Sequence, residues 1–284
     1  MQLLDRLKTG LVLTKDAILV LRHHPRLVIF PVVSAITGLA FLALFLGVTF
    51  GLMAIDPQGA MLVGLGAAYL VLTFVSSFFA AGLVHQTREA LADNEPSLKA
   101  GMNAAWEVKG QLFVWALISA TIGVLINALE NSDSRLARLF GTIFGVAWTL
   151  MTFFIIPVIV FERTSITGMF KESAGTFKEL WGETPVSLIA VQVIGFLVVL
   201  PFVVIGYALY PIDPIFTIGA VLTGVLLSFL IGQTLQGVIK TTLYLYATEG
   251  KRAEEFDDVD LDALTSDRSA EKKSASPPKT GGFH

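Results

Sequence analysis

Apolar residues run along this chain in blocks far longer than a soluble helix needs to cover one face. Asp, Glu, Lys, Arg and His are absent from six stretches: Leu27 to Ile55, Pro57 to Val84, Gly110 to Leu129, Leu139 to Phe161, Thr184 to Ile212 and Pro214 to Ile239. About 20 consecutive apolar residues cross about 30 Å of hydrocarbon, so each stretch predicts a transmembrane helix. Backbone N–H and C=O groups in lipid must be satisfied within the segment, and no barrel-type alternation is present, which leaves helices. Pro31, Pro157 and Pro201 should bend their helices, since each removes a donor and crowds the carbonyl one turn back.

Amphipathic stretches separate the blocks. The first, residues 2–22, sets Leu3, Leu4, Leu7, Leu11, Ile18 and Leu21 on one helical face, away from Lys8, Lys15 and Asp16. The second starts near Asn94 and groups Leu98, Met102, Ala105 and Trp106. The third, Thr164 to Gly182, repeats Ile166, Phe170, Phe177, Leu180 and Trp181 opposite Lys171, Glu172, Lys178 and Glu179. Each stretch carries a small residue, Gly and an apolar residue: Thr9-Gly10-Leu11, Ala100-Gly101-Met102 and Thr167-Gly168-Met169. The tripeptides Ile55-Asp56-Pro57 and Ile212-Asp213-Pro214 close the first and fifth blocks. Gly10 to Asp56 is 46 residues and Gly168 to Asp213 is 45.

The expected fold class is therefore an all-α membrane protein of six transmembrane helices, arranged as three hairpins, each preceded by a cytoplasm-side amphipathic helix. Residues 1–248 would form this domain in repeat units 1–84, 85–161 and 162–248, with a disordered acidic cytoplasmic tail at 249–284. Parallel repeats would place a symmetry axis along the membrane normal. Gly47 with Gly51 and Gly141 with Gly145 are small-xxx-small pairs that suit close helix contact within the chain or between copies, so an oligomer is open.

The lead-in helices, the early proline of the first span and the exit of the last span at Tyr244 and Tyr246, followed by Phe256-Asp257-Asp258, together resemble a family of largely haloarchaeal six-span membrane proteins. A looser similarity runs to the membrane domain of glycerophosphoryl diester phosphodiesterases. The resemblance covers about residues 1–262 and implies no activity, and no phosphodiesterase catalytic motif is legible.

Composition fits this class: 54% of the 284 residues are hydrophobic and 15% charged, against roughly 25% charged in soluble domains. Charge then orients the bundle. Five Lys and Arg precede the first span (Arg6, Lys8, Lys15, Arg22, Arg26), and three lie in each of the second and fourth connections (Arg88, Lys99, Lys109; Arg163, Lys171, Lys178). The first and fifth connections have none, and the third has Arg135 and Arg138. By the positive-inside rule both termini face the cytoplasm and the protein sits in the cell membrane. The net charge of −3 arises in the tail, since residues 1–248 hold 14 acidic and 14 basic side chains and the remainder nine and six. No basic stripe suits nucleic acid.

Candidate chemistry is sparse. With no Cys, thiolate metal sites and cysteine nucleophiles are excluded, and no His, Asp and Glu cluster has metal-ligand spacing. No cofactor motif and no acid/base or nucleophile constellation is present, so the expectation is a non-enzyme. Two polar sets remain. Gln233, Gln236 and Lys240 share one face of the last helix, and Gln192 is an amide inside the fifth span; together they would line a polar path or vestibule, or serve as interhelical contacts. Lys240 lies 25 residues after Ile215, roughly 38 Å along a helix, which puts it at the cytoplasmic interface. Asp56, Asp133 and Asp213 place one carboxylate in each outer loop, an acidic ring at a pore mouth or simple turn chemistry. In the tail, Asp258, Asp260 and Asp262 alternate like a calcium loop, but Ala263 and Ser269 stand where that loop needs Gly and Glu.

The best expectation from the sequence is a non-enzymatic membrane scaffold or adaptor. It would contact lipid headgroups and recruit a cytoplasmic protein partner through the tail. The alternative is a pore or transporter for a neutral or cationic solute.

Overall fold

The computed structural model describes residues 14–180 and 184–249. Residues 1–13, Trp181 and the whole tail after Glu249 lie outside the described residues, and with them Gly10, most of the first amphipathic stretch and the acidic alternation. Among the described residues all regular structure is helical. Helix α1 covers residues 14–23, and a 3-10 turn, Pro25–Val28, leads into α2, Ile29–Leu52. Then follow α3 Pro57–Ala90, α4 Leu98–Glu107, α5 Lys109–Glu130, α6 Arg135–Met151, α7 Ile155–Glu162, α8 Ile166–Glu179, α9 Thr184–Leu209 and α10 Pro214–Glu249. Among the described residues six segments are long and apolar enough to cross a membrane, with α6 and α7 forming one of them. This is a multi-pass membrane protein.

Helix ends do not coincide with the ends of the apolar blocks, because backbone hydrogen bonding stops at a cap and not at a charge: α2 and α9 stop three residues short, at Leu52 and Leu209. By contrast α3 continues beyond Val84 to Ala90, and α10 beyond Ile239 to Glu249. Asp56 caps α3, its carboxylate accepting from Gly59 N at 3.1 Å; Ser97 and Ser165 cap α4 and α8 in the same way. Sequential spans are in contact: α2 with α3, α5 with α6 and α9 with α10. A Cβ at Gly141 would stand 2.8 Å from Leu129 Cβ, and one at Gly224 2.6 Å from Phe202 Cβ, so both glycines serve close approach within the chain. Gly47 and Gly51 face open space instead.

Burial divides the bundle into two ends. The core joins Ala17 and Val20 of α1, Leu27, Phe30, the second half of α3, Leu112 and Trp115 of α5, α7, Met169 and Phe177 of α8, and Leu235 to Tyr246 of α10. We call this the core end. The opposite end, where residues 53–56, 131–134 and 210–213 connect the spans, exposes most of its apolar side chains; we call it the turn end. Phe30 is the wedge of the core end, because a Cβ at Gly82 or at Gly101 would come within 2.8 or 2.5 Å of its ring. Gly101 of the Ala100-Gly101-Met102 motif is thus needed for packing. Gly168, in the matching motif, instead lies against the side chains of Thr164 and Ser165 in its own cap.

The short helices outside the spans differ in the face they bury. Helix α4 buries Gly101 and Ala105 and exposes Met102 and Trp106, whose ring lies 4.2 Å from Lys109 Nζ. Helix α8 buries Met169, Ser173, Thr176 and Phe177 and exposes Ile166, while α1 buries Asp16, Ala17 and Val20 and exposes Ile18. In α4 the small side chains allow the closer approach and the large apolar ones are left outside, whereas α8 buries large ones as well.

The fourth block is broken where the sequence predicts one bent helix. Pro157 has no N–H for the Phe153 carbonyl one turn back, and the chain leaves helical geometry at residues 152–154. Ser173 of α8 repairs the gap. Its buried hydroxyl donates to Met151 O at 2.7 Å and accepts from Phe154 N at 3.1 Å. Pro201 is tolerated within α9, and Pro31 lies in the first turn of α2, where a missing N–H matters little.

Candidate functional site

The break in the fourth span forms one wall of a cavity of about 880 Å³ bounded by α2, α3, α7 and α10. Its part nearer the turn end is aliphatic, with Leu39, Leu42, Leu72 and Leu226 among the lining. Polar groups collect toward the core end: Ser34, Ser76, Thr152, Gln233, Gln236 and Lys240. Lys240 is the one charged residue of the lining, and no carboxylate lines the cavity. Ile36 and Leu39 on α2, and Leu226 and Phe229 on α10, both line it and are exposed, so the cavity reaches the lipid-facing surface between those helices.

Lys240 is partly buried, and its Nζ lies 4.5 Å from the centroid of Phe153, the residue at the break. An ammonium over an aromatic face is attracted by the ring quadrupole, an interaction that strengthens away from water. Among the described residues no carboxylate and no hydrogen-bond partner reaches it. One turn further along α10 the electrostatics differ: Tyr244 Oη donates to Glu162 Oε1 at 2.8 Å and the ring stacks on Phe161, under Arg88. Nearby, Arg163 ends α7 in a left-handed conformation and pairs with Glu107 at 2.6 Å.

A second cavity, about 140 Å³, lies between α9 and α10 and is lined by Gln192, Gly195, Ser228, Gln233 and Gln236 among others. Ser228 Oγ donates to Gly195 O at 2.9 Å, while Gln192 makes no hydrogen bond to another described residue. Gln233 and Gln236 line both cavities. The four polar residues read from the sequence therefore lie on adjoining cavity walls, with Lys240 in the larger and Gln192 in the smaller.

The three loop carboxylates behave differently. Asp56 caps α3, and Asp213 accepts from Ile215 N at 2.8 Å. Asp133 is exposed. Among the described residues no group of three His, Asp or Glu could hold a metal ion. Sequence reading missed Ser173, whose one signal is a hydroxyl four residues after Met169 on the face that α8 buries. It also missed the cavity, which exists only once four helices are assembled.

The chain has no match among curated proteins or solved structures. Residues 59–254 match the family of unknown function DUF6159, a span that begins in the first turn of α3 and includes the break, Ser173, Gln192, Gln233, Gln236 and Lys240, and the chain belongs to that family.

Proposed function

We propose that this protein is a non-enzymatic lipid-engaging membrane scaffold or adaptor of the cell membrane, with the core end and both termini at the cytoplasmic face. The observation that carries the reading is the large cavity, which is open sideways toward hydrocarbon, aliphatic over its turn-end part and polar only at the core end. A conducting path needs polar groups along its length, whereas a lipid site needs an apolar body and one polar tip. The exposed Trp106, with Lys109 beside it, suits the headgroup level at the same end. In this reading the three hairpin units repeat a lipid-contacting design, residues 249–284 dock a cytoplasmic protein, and copies associate through faces left open on single spans.

One observation favours transport of a neutral or cationic solute as a second reading: the broken fourth span lines the cavity, and discontinuous helices build the sites of many transporters. Reconstituted full-length protein separates the two. We expect no potassium or small-solute flux above protein-free vesicles. Saturable or voltage-dependent flux, lowered when Asp56, Asp133 and Asp213 are all changed to Asn, would establish the second reading instead. In the same vesicles, single cysteines at the exposed positions Ile55, Asn131 and Ile212 should label from the outer face, and ones at Lys99 and Lys171 only after permeabilisation; the reverse pattern would invert the orientation.

A further inference from the structure

We infer that the large cavity is a binding site for a phospholipid of net negative charge, its phosphate held by Lys240 with Gln233 and Gln236 and one of its chains lying along Leu226, Leu39 and Leu72. This inference rests on the lipid-engaging reading and adds the class of lipid.

Three observations carry it. The first is charge: a cation with no anionic partner among the described residues stands in a lining that has no carboxylate, so the site lacks one negative group. A phosphodiester supplies one charge and spare acceptor oxygens, and lysine meets phosphate as a compact point charge. The two glutamines supply amide N–H donors on the same helix face, at spacings of three and four residues from each other and from Lys240. The second is depth. Leu226 and Lys240 are 14 residues apart on α10, roughly 21 Å of helix, which covers the ~15 Å of one leaflet's hydrocarbon with about 6 Å left for the headgroup level. A chain anchored at Lys240 would thus reach about as deep as its neighbours in the leaflet. The third is access: exposed Ile36, Leu39, Leu226 and Phe229 form a sideways mouth, through which a lipid can enter without its chain crossing water. A zwitterionic phospholipid brings an ammonium for which the lining offers no carboxylate, beside a lysine that repels it.

The test uses the full chain in nanodiscs that contain equal parts phosphatidylglycerol and phosphatidylcholine, followed by mild detergent extraction and native mass spectrometry of retained lipid. We expect one retained phosphatidylglycerol per chain, an about tenfold or greater fall with Lys240→Met, and recovery with Lys240→Arg. Ala35→Trp, at a residue of the cavity lining beside Ile36, should remove lipid of both kinds. Size-exclusion elution and thermal unfolding of each variant must match the parent, and Lys240→Arg keeps the assignment testable if the Met variant fails to fold. Retention of both phospholipids equally, unaffected by Lys240→Met but lost with Ala35→Trp, would overturn the headgroup assignment and leave the lipid-engaging reading standing. Displacement of the phospholipid by added oleate at equal concentration would overturn it in favour of a carboxylate lipid. No retained lipid in the parent would overturn both.

Discussion

Phe30 and Phe50 lie on the same helix, α2, yet the first is 1% exposed and the second 69%. Hydrophobicity does not separate them; what stands opposite does. Phe30 meets two glycines, Gly82 and Gly101, whose missing side chains leave room for its ring, while Phe50 sits at the turn end among residues left outside. In lipid there is no hydrophobic drive to bring helices together, so a packed core forms only where shape or hydrogen bonding rewards it. The core end supplies both, with glycine contacts, Ser173 in the break, and the backbone N of Ser97 donating to the side-chain oxygen of Gln86 at 2.7 Å. At the turn end the cross-helix contacts are confined to neighbouring spans, as where Thr217 donates to Gly206 O at 2.8 Å and Gly141 lies against Leu129, while Thr223 and Thr121 bond their own helices at Gly219 O and Leu117 O.

The sharpest way to break this comparison is to truncate the same residue type at both ends. Phe30→Ala should cost about 3 kcal/mol or more, because it opens a cavity between α3 and α4 that the two glycines cannot close. Phe50→Ala should stay within about 0.5 kcal/mol, since lipid replaces the lost contacts. Thermal unfolding of both variants in one detergent measures the difference. Equal effects would mean that the ends are packed alike.

The next largest effect concerns Ser173. Ser173→Ala leaves Met151 O and Phe154 N without their partner in a buried site, and removing a partner from such groups costs about 1–3 kcal/mol. It should also alter the cavity wall at Thr152 and Phe153, and so reduce lipid retention. Thr223→Ala, whose hydroxyl bonds only its own helix, should change neither stability nor retention. A Ser173 variant as stable as the parent would show that the break at residues 152–154 is held by Pro157 alone.

What could be read from the sequence follows the same division. The six spans were legible because hydrocarbon thickness sets a length that apolar runs must meet, and the observed helices start within a few residues of them wherever no break intervenes. Polar placement was legible at Gln233, Gln236 and Lys240, since helical spacing alone puts them on one face. Packing was not. Two pairs, Gly47 with Gly51 and Gly141 with Gly145, have the same sequence form, yet a Cβ at the first pair meets nothing and at the second meets Leu129 and Ile126. A small residue permits approach, but only the neighbouring helix decides whether approach occurs. Ser173 was hidden for a related reason: its partners are a carbonyl and an amide at the break in another segment, Met151 O and Phe154 N, a coincidence that no single stretch of sequence displays.

The smallest expected effect tests that lesson directly. Gly47→Ala with Gly51→Ala adds two methyl groups into open space on α2, and alanine in a helix interior is favoured over glycine by roughly 0.5–1 kcal/mol. The double variant should therefore unfold at the same temperature as the parent or slightly above it, with unchanged apparent size in detergent. Gly101→Ala carries the same chemical change to the core end, where the new methyl would stand 2.5 Å from the Phe30 ring, and it should lower stability because the ring is flanked by Gly82 and cannot withdraw. If the α2 pair instead destabilises and shifts the apparent size downward, a second copy packs against Gly47 and Gly51. The turn end then has a protein partner where the single chain presents only lipid-facing surface, and the contrast between the ends belongs to the isolated chain and not to the assembly.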